Sequence, residues 1–301
     1  MQEIEIVPRG PFSLDAARDF AGGFPAGIGG GGVGASSITL AFPVEGTEVS
    51  VAAELWQDAD GVVRGRTDAP AELLGALIHQ ASRSLSLDHD GSGWPAAGER
   101  DPRLGELQRE YDYLRPVCFY SAYEAVTSFV IGQRISRRQT AVIKRDLADA
   151  LGDRPTVAGT AVAAFPRPTR LLELREARGL NAEKVRRLHG LATAAIDGRL
   201  DTDTLRAAPE AEALALLQSL PGVGPFTANG VLYRGCGIAD GLQGADELGK
   251  EVIRDLYGAD TVTGADVERM AEAWRPYRMW AVVLLRMAWT RSGGAGVSYR
   301  R

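Results

Sequence analysis

The fold of this chain is decided by residues 217–229, which read LQSLPGVGPFTAN. An amphipathic helix is predicted to end at the Leu-Pro-Gly-Val-Gly turn, and a second helix to begin directly after it. Gly222 and Gly224 permit positive φ and leave backbone N–H groups uncovered. With Thr227 they lie at a helix N-terminus, where the dipole favours an anion. We expect this turn to bind a DNA phosphate without reading sequence, although an ordinary glycine-containing helix–helix turn would share the pattern.

Helical patterns continue on both sides of this turn. From about residue 101 onward, apolar residues recur at helical spacing, with short Gly/Pro segments between the repeats. The spacing predicts helices over Tyr123–Ile131, Arg137–Leu151, Ala182–Asp197, Pro209–Ser219, Thr227–Tyr233, Asp246–Tyr257 and Val267–Trp289. We therefore expect residues 91–301 to form an all-α domain of two helical lobes.

The N-terminal part of the chain has a different pattern. Alternating apolar and polar residues predict strands at Glu3–Val7, Ser37–Val44, Val49–Trp56 and Val62–Gly65. Amphipathic segments predict helices over Phe12–Phe20 and Ala71–Leu85. Residues 1–90 are therefore predicted to form a small α+β domain with an antiparallel sheet.

Composition excludes several classes of protein. The chain has 301 residues, 45% of them hydrophobic, enough for two domains with apolar cores. Its two cysteines, Cys118 and Cys236, cannot build a disulfide scaffold or ligate a four-cysteine iron–sulfur cluster. The sequence shows no signal-peptide pattern and no apolar run of membrane-spanning length. We expect a cytoplasmic protein with no membrane partner.

Charge is unevenly distributed along the chain. Residues 1–90 contain 5 Lys and Arg against 13 Asp and Glu, a net charge of −8. The remainder contains 29 against 26, a net charge of +3. A surface that faces DNA should therefore lie in the second domain. The overall charge of −5 neither supports nor excludes DNA binding.

The motifs together resemble those of the helix-hairpin-helix DNA glycosylases, and within them 3-methyladenine DNA glycosylase II. The turn is similar to the family hairpin, residues 129–136 (FVIGQRIS) to its first-helix signature, and residues 274–281 (WRPYRMWA) to its closing helix. Matches run from about residue 111 to residue 289. The resemblance implies an active site in a cleft between two helical lobes. It also implies an N-terminal sheet like that of TATA-binding protein.

Asp246 occupies the place of the family's catalytic aspartate, at the start of a helix downstream of the hairpin. Breaking an N-glycosidic bond builds positive charge on the sugar, and a nearby carboxylate can stabilise that charge or activate water. One carboxylate suffices when the leaving base is already cationic, as an alkylated purine is. The alternative role for Asp246 is that of a helix N-cap. Glu247 is the candidate if the alignment shifts by one residue.

Phe226 stands where bifunctional members of the family carry a nucleophilic lysine. Such a lysine could form a Schiff base with the sugar and lead to strand cleavage. We therefore expect an enzyme without lyase activity and without a required cofactor.

The resemblance also implies roles around the extruded base. Phe226, Gly230 and Arg286 fall at positions of the base pocket, and only the first is aromatic, as the family's residues there are. Gly230 is expected to leave room in that pocket. Gln133 and Arg134 are expected to contact DNA, with Arg134 at the position of the residue that fills the gap left by the flipped base.

A monovalent cation at the hairpin is a further implication of the resemblance. The family's main-chain carbonyls that ligate Na⁺ or K⁺ match Gln218, Leu220 and Val223 here, and the ion bridges to a phosphate. The sequence by itself shows only a suitable turn.

Three other patterns suggest ligands but lack the structural context. Residues 88–99 approach a calcium loop, yet Pro95 and the lack of a clean following helix favour a solvated interdomain loop. The glycines at 27, 29 and 32 match a dinucleotide pattern but precede a strand rather than a helix. Metal-ligand spacing is missing from the histidines, His79, His89 and His189.

The sequence therefore predicts a monomeric glycosylase that hydrolyses damaged, alkylated purines from double-stranded DNA and leaves abasic sites, working at the bacterial nucleoid. Two alternatives stay open. The preferred lesion could instead be an oxidised or deaminated purine. The chain could also be a non-catalytic helix-hairpin-helix protein that binds DNA or senses lesions.

Overall fold

The N-terminal part folds as a four-stranded antiparallel sheet in the order β1-β4-β3-β2. The computed structural model describes residues 1–22, 36–242 and 247–294, and of residue 247 only the backbone. The strands are β1 (Gln2–Ile6), β2 (Ser37–Pro43), β3 (Ser50–Gln57) and β4 (Val63–Thr67). All four predicted strands are confirmed.

Two helices pack in the same apolar core as this sheet. Helix α1 (Leu14–Ala21) begins at Ser13, whose hydroxyl accepts the backbone N–H of Ala16 at 3.1 Å. Helix α2 (Leu74–Ser84) follows a 3₁₀ turn at Ala71–Leu73. Val117 and Tyr120 are also buried in this core, so the core of the N-terminal part includes side chains from beyond residue 90.

Helices dominate the rest of the chain and enclose one large core that includes buried tryptophans. Their bounds are α3 (Trp94–Arg100), α4 (Pro102–Glu110), α5 (Ala122–Gly132), α6 (Arg137–Leu151), α7 (Pro168–Leu171), α8 (Ala182–Ile196), α9 (Thr202–Ala207), α10 (Glu210–Gln218), α11 (Pro225–Gly230), α12 (Glu247–Tyr257), α13 (Gly264–Ala271) and α14 (Arg278–Arg291). A π turn at Val231–Gly235 follows α11. The short helices α3, α4, α7 and α9 were not among the predicted segments.

The second part of the chain is not entirely helical, contrary to the prediction. A hairpin of β5 (Thr156–Val157) and β6 (Thr160–Ala161) follows α6. Its turn residues Ala158 and Gly159 both have positive φ, at 50° and 76°, as a tight two-residue hairpin requires. Val157 is buried against alanines of β2 and β3, so the hairpin covers part of the N-terminal sheet.

The single helix predicted over Val267–Trp289 is also wrong. The chain forms α13, a 3₁₀ turn at Glu272–Trp274 and then α14. Pro276 lies at the break, because proline lacks the N–H that a helix needs and disfavours helical backbone in the residue before it. Among the described helices none is both long and apolar enough to cross a bilayer.

Candidate nucleic-acid interface

The hairpin turn joins α10 to α11 through one left-handed residue. Gly222 has φ of 79°, and the carbonyl of Leu220 accepts the N–H of Val223 at 3.2 Å. Gly224 has φ of −95° and ψ of 179°, which is extended backbone that any residue adopts. Gly222 therefore adopts the positive φ that glycine permits, and Gly224 does not. Gly224 is exposed, and a Cβ built there would meet no atom within 4 Å.

Helix α8 packs against this turn at two contacts. The side chain of Arg187 lies over Gly222, where a Cβ would come within 2.7 Å of its Cδ. Pro221 packs on Gly190, whose missing Cβ would lie 2.7 Å from the proline ring. Small residues at both contacts thus allow the hairpin to approach α8 closely.

A second set of contacts ties the hairpin to the loop after α5. Gln133 donates from Nε2 to the carbonyl of Gly222 at 2.7 Å and accepts from Nη1 of Arg187 at 3.2 Å. Lys184 donates from Nζ to the carbonyls of Ile131 and Gln133 at 2.7 and 2.8 Å. These bonds satisfy carbonyls at the end of α5 and fix the loop against the hairpin.

Arg134 is the next residue of this loop and is exposed. Its φ of 61° lies in the left-handed region, which is uncommon for a residue with a side chain. Such strain clusters at binding and active sites, because the surrounding contacts must enforce it. The bonds from Lys184 and Arg187 to Gln133 are contacts of that kind. Arg134 is therefore presented to solvent beside the hairpin turn.

Positive charge is concentrated around this loop. Burial lowers the pKa of Lys184, and the nearby charges of Arg187 and Arg134 lower it further. Arg137 and Arg138 are exposed in the first turn of α6. Cations at a helix N-terminus oppose the helix dipole, so this placement does not serve the stability of α6. It provides a cationic face, which we define as residues 134, 137, 138, 184 and 187.

The pocket residues predicted from the sequence are only partly as expected. Phe226 has 38% of its surface exposed, and its ring packs edge-on against Phe129 with centroids 6.3 Å apart. Gly230 is buried, and a Cβ there would lie 2.4 Å from Cζ of Phe129. The expected room above Gly230 is therefore filled by the ring of Phe129, which was not among the predicted site residues.

Arg286, the third predicted pocket residue, lies on α14 near a second arginine that was not predicted. Burial lowers the pKa of Arg234, and the charges of Arg286 and Arg137 also lower it. Arg234 donates to the carbonyl of Val117 at 2.7 Å. The structure thus groups basic side chains from α6, the π turn and α14.

Asp246 lies outside the described residues, as do the glycines at 27, 29 and 32 and the side chain of Glu247. The helix that follows Asp246 is anchored at its other end. Tyr257 donates its hydroxyl to Asp101 at 2.7 Å, and Trp289 of α14 donates Nε1–H to Asp255 at 2.8 Å.

The remaining polar patterns have structural partners. In the calcium-like loop, Asp88 pairs with Arg206. Contrary to the expectation of a solvated loop, helix α3 begins inside this segment, and its residues Trp94 and Ala97 are buried. Each histidine has a hydrogen-bond partner for a ring nitrogen. His79 bonds to Asp203, His89 to the carbonyl of Gly237, and His189 to the carbonyl of Leu174. Within the described ranges, no group of three His, Cys, Asp or Glu residues could hold a metal ion.

Known proteins are similar to this chain in sequence and in fold. The chain is 29% identical over 184 residues to DNA-3-methyladenine glycosylase 2 of Escherichia coli (strain K12), over 60% of this chain and 62% of that protein's length. In fold it is similar to 3-methyladenine DNA-glycosylase from Archaeoglobus fulgidus, with a TM-score of 0.78, 18% identity, and coverage of 97% and 99% of the two chains. The chain has a DNA glycosylase fold. The resemblance to helix-hairpin-helix glycosylases, and to 3-methyladenine DNA glycosylase II among them, is confirmed.

A second glycosylase structure shows how widely this fold is used. The 8-oxoguanine glycosylase/lyase of Clostridium acetobutylicum, in its apo form, matches with a TM-score of 0.64 and 16% identity over 95% of each chain. No protein-family model matches the sequence. The glycosylase fold alone therefore does not choose the damaged base.

Most of the predicted interface residues lie together in this glycosylase fold. Gln133 contacts the hairpin directly, Arg134 follows it in the same loop, and Phe226 and Gly230 share the contact with Phe129. Sequence reasoning missed Lys184 and Arg187. Their spacing of three residues on α8 was a usable signal, because it places both on one helix face.

Proposed function

We propose that this protein is a monofunctional DNA glycosylase that hydrolyses alkylated purines from duplex DNA and leaves abasic sites. The observation that carries the proposal is the bond between Gln133 and the hairpin carbonyl of Gly222. It joins a phosphate-binding turn to an exposed arginine at the position that fills the gap after base flipping. The proteins named 3-methyladenine glycosylases that share its sequence and fold support the substrate class.

The proposed reaction uses three parts of the chain. Backbone N–H groups at Gly222, Gly224 and Thr227 hold a phosphate, and Arg134 fills the space of the extruded base. Asp246 stabilises the positive charge that develops on the sugar while water attacks. Because an alkylated purine leaves as a neutral base, no strong general acid is needed.

The test is base release from duplexes with a single alkylated purine, with hot alkali used to reveal abasic sites. Wild-type protein should release the base, and Asp246→Asn should lose at least a hundredfold in single-turnover rate. Duplex affinity of the variant should be nearly unchanged, since the charge is needed only in the transition state. A variant that keeps wild-type turnover would make Asp246 a helix cap, and Glu247→Gln would then be measured.

We also propose that the enzyme lacks lyase activity, because Phe226 occupies the position of the Schiff-base lysine. Borohydride added during turnover should trap no covalent complex, and strands should break only after alkali. Lys250 lies four residues after Asp246 in the sequence and is the lysine to test if an adduct forms. An adduct lost on Lys250→Ala would contradict the monofunctional proposal.

One observation favours a second candidate substrate class. Phe129 rather than residue 230 supplies the aromatic group here, so the pocket differs from the one the resemblance implies. An oxidised or deaminated purine is neutral, so this pocket would have to select it by shape and not by charge, and a panel of lesion duplexes separates the two classes. Failure to release any base while binding lesions tightly would favour a non-catalytic lesion sensor.

The proposal also covers a cation at the hairpin, the type of the N-terminal sheet, the oligomeric state and the location of the protein. Carbonyls of Gln218, Leu220 and Val223 would hold Na⁺ or K⁺, since a carbonyl such as that of Leu220 keeps a second lone pair after accepting one hydrogen bond. The N-terminal sheet, within the proposed boundary near residue 90, would be of the TATA-binding-protein type. We propose a monomer that acts on nucleoid DNA in the bacterial cytoplasm.

A further inference from the structure

We infer that Phe129 is a specificity-determining residue, and that its ring forms, with Phe226, the surface that receives the flipped base. The inference rests on the proposed function and deepens it. Gly230 has a defined part in it, because only glycine leaves the space that the Phe129 ring occupies.

The geometry around Gly230 shows why the two positions depend on each other. A Cβ at residue 230 would lie 2.4, 2.9 and 3.0 Å from three atoms at the far edge of the Phe129 ring. Real Cβ atoms do not approach so closely, so any side chain at 230 would push the ring away. An aromatic ring from α5 thus fills the position that a side chain from α11 would otherwise take.

Contacts on both sides hold the Phe129 ring. Phe119 lies behind it with ring centroids 5.8 Å apart, and Phe226 meets it edge-on at an interplanar angle of 86°. Phe119 is buried and Phe226 is exposed, so the cluster runs from the core to the surface. Phe129 itself is half-buried, which leaves part of its ring open to a ligand.

The position of Phe129 along α5 links it to base flipping. It precedes Gln133 by four residues and therefore lies one helical turn before the loop that presents Arg134. A base displaced from the duplex by Arg134 would leave the stack at that loop and reach the Phe129 and Phe226 rings next. One of these rings can stack on a flat heterocycle while the other, which is perpendicular to it, would meet the edge of the base.

The chemistry of these rings favours one class of base. An alkylated purine carries positive charge, and the face of an aromatic ring attracts cations. A neutral base gains only stacking. An aromatic surface therefore favours the cationic lesion over a neutral purine of similar shape, which a bulky aliphatic side chain would not do.

The test measures single-turnover release of 7-methylguanine and of hypoxanthine, as examples of a cationic and a neutral purine. Phe129→Ala should slow 7-methylguanine release by about tenfold or more with duplex affinity near wild type, and should lower the thermal midpoint because the ring packs between Phe119 and Phe226. Phe129→Leu keeps most of the volume and should lower the ratio of the two rates. Gly230→Ala should act in the same direction by displacing the ring.

A swap variant separates a direct role from a structural one. Phe129→Ala/Gly230→Tyr moves the aromatic group to α11 and should recover part of the lost 7-methylguanine release. Wild-type rates and ratio in both Phe129→Ala and Phe129→Leu would overturn the inference. A wild-type protein that releases no base at all would instead overturn the proposed function. If Phe129→Ala does not fold, Phe129→Leu and Gly230→Ala decide the matter.

Discussion

Gly222 and Gly224 look equivalent in the sequence, but the structure gives different reasons for glycine at these two positions. Gly222 needs glycine for folding, because its φ is 79° and Arg187 lies where a Cβ would be. Gly224 has ordinary backbone and open space around its missing Cβ. Its lack of a side chain therefore matters only for what approaches from outside, such as a DNA phosphate.

Alanine at each position should separate these two roles. Gly222→Ala should lower the free energy of unfolding by about 1–2 kcal/mol, the cost of left-handed backbone, and more if Arg187 cannot move. Gly224→Ala should stay within about 0.5 kcal/mol of wild type in urea unfolding. It should nevertheless weaken binding to all duplexes alike. A binding defect confined to one lesion would contradict the role in phosphate binding.

For single residues, the sequence predicts backbone conformation well but does not predict which side chains will be neighbours in space. The Leu-Pro-Gly-Val-Gly pattern correctly predicted a turn between helices, because proline and glycine act on their own backbone. The contact between Gly230 and Phe129 could not be predicted from the sequence. The two residues are distant in sequence, and only the packing of α5 on α11 brings them together.

At the scale of elements, α8 acts as a clamp that aligns the hairpin with the loop after α5. Arg187 contributes through both its contact over Gly222 and its bond to Gln133. Its neighbour Arg186 pairs with Glu183, as Arg187 also does. The two arginines therefore form a matched pair, because each substitution removes one positive charge and one bond to Glu183, and Arg187 additionally contacts Gly222 and Gln133.

Arg187→Met should impair base flipping more than Arg186→Met does. We expect a loss of about tenfold in the flipping equilibrium, since a misaligned loop holds Arg134 less well in its strained conformation. A fluorescent base analogue opposite the flipped position reports this step, and filter binding reports affinity. Equal effects of the two substitutions on both readouts would mean that charge alone matters and that the clamp does not exist.

Helix bounds were predicted best where the apolar spacing was long and the caps were clear. Helix α6 begins after Ser136, which with Gln139 forms a reciprocal capping box, and the predicted bounds agree with the structure. Helices α3 and α7 are short and begin with proline at or next to their first residue, so a sequence pattern cannot distinguish them from loops.

At the scale of the whole molecule, one buried polar network joins the N-terminal sheet to the helical part. Arg83 of α2 is 1% exposed and pairs with Glu45, which follows β2, and with Asp203 of α9. Glu45 also accepts a hydrogen bond from Thr202. Burial raises the pKa of Glu45 above its usual value of 4.5, and the charge of Arg83 only partly opposes this.

The sign of the resulting pH dependence follows from that shift. A carboxyl whose folded pKa is raised stabilises the protein most when protonated, so its contribution falls as pH rises from about 4.5 through the raised pKa. Glu45→Gln cannot ionise and should show a flatter profile of unfolding free energy in this window. Urea unfolding of wild type, Glu45→Gln and the exposed control Glu3→Gln measures it. Identical slopes for all three would show that Glu45 is not the titrating group.

The uneven distribution of charge predicts how the affinity for DNA depends on salt. Residues 1–90 carry −8 and the remainder +3, yet the cationic face around the hairpin concentrates positive charge on one side of the molecule. If a duplex binds there, each phosphate contact releases counterions, and affinity falls linearly with salt on a logarithmic plot. Replacing both Arg137 and Arg138 with Met should reduce the salt slope by about 2. Arg64→Met in the N-terminal sheet, where Arg64 pairs with acidic neighbours, should leave the slope unchanged. A lower affinity with an unaltered slope in the α6 variant would place the duplex elsewhere on the molecule.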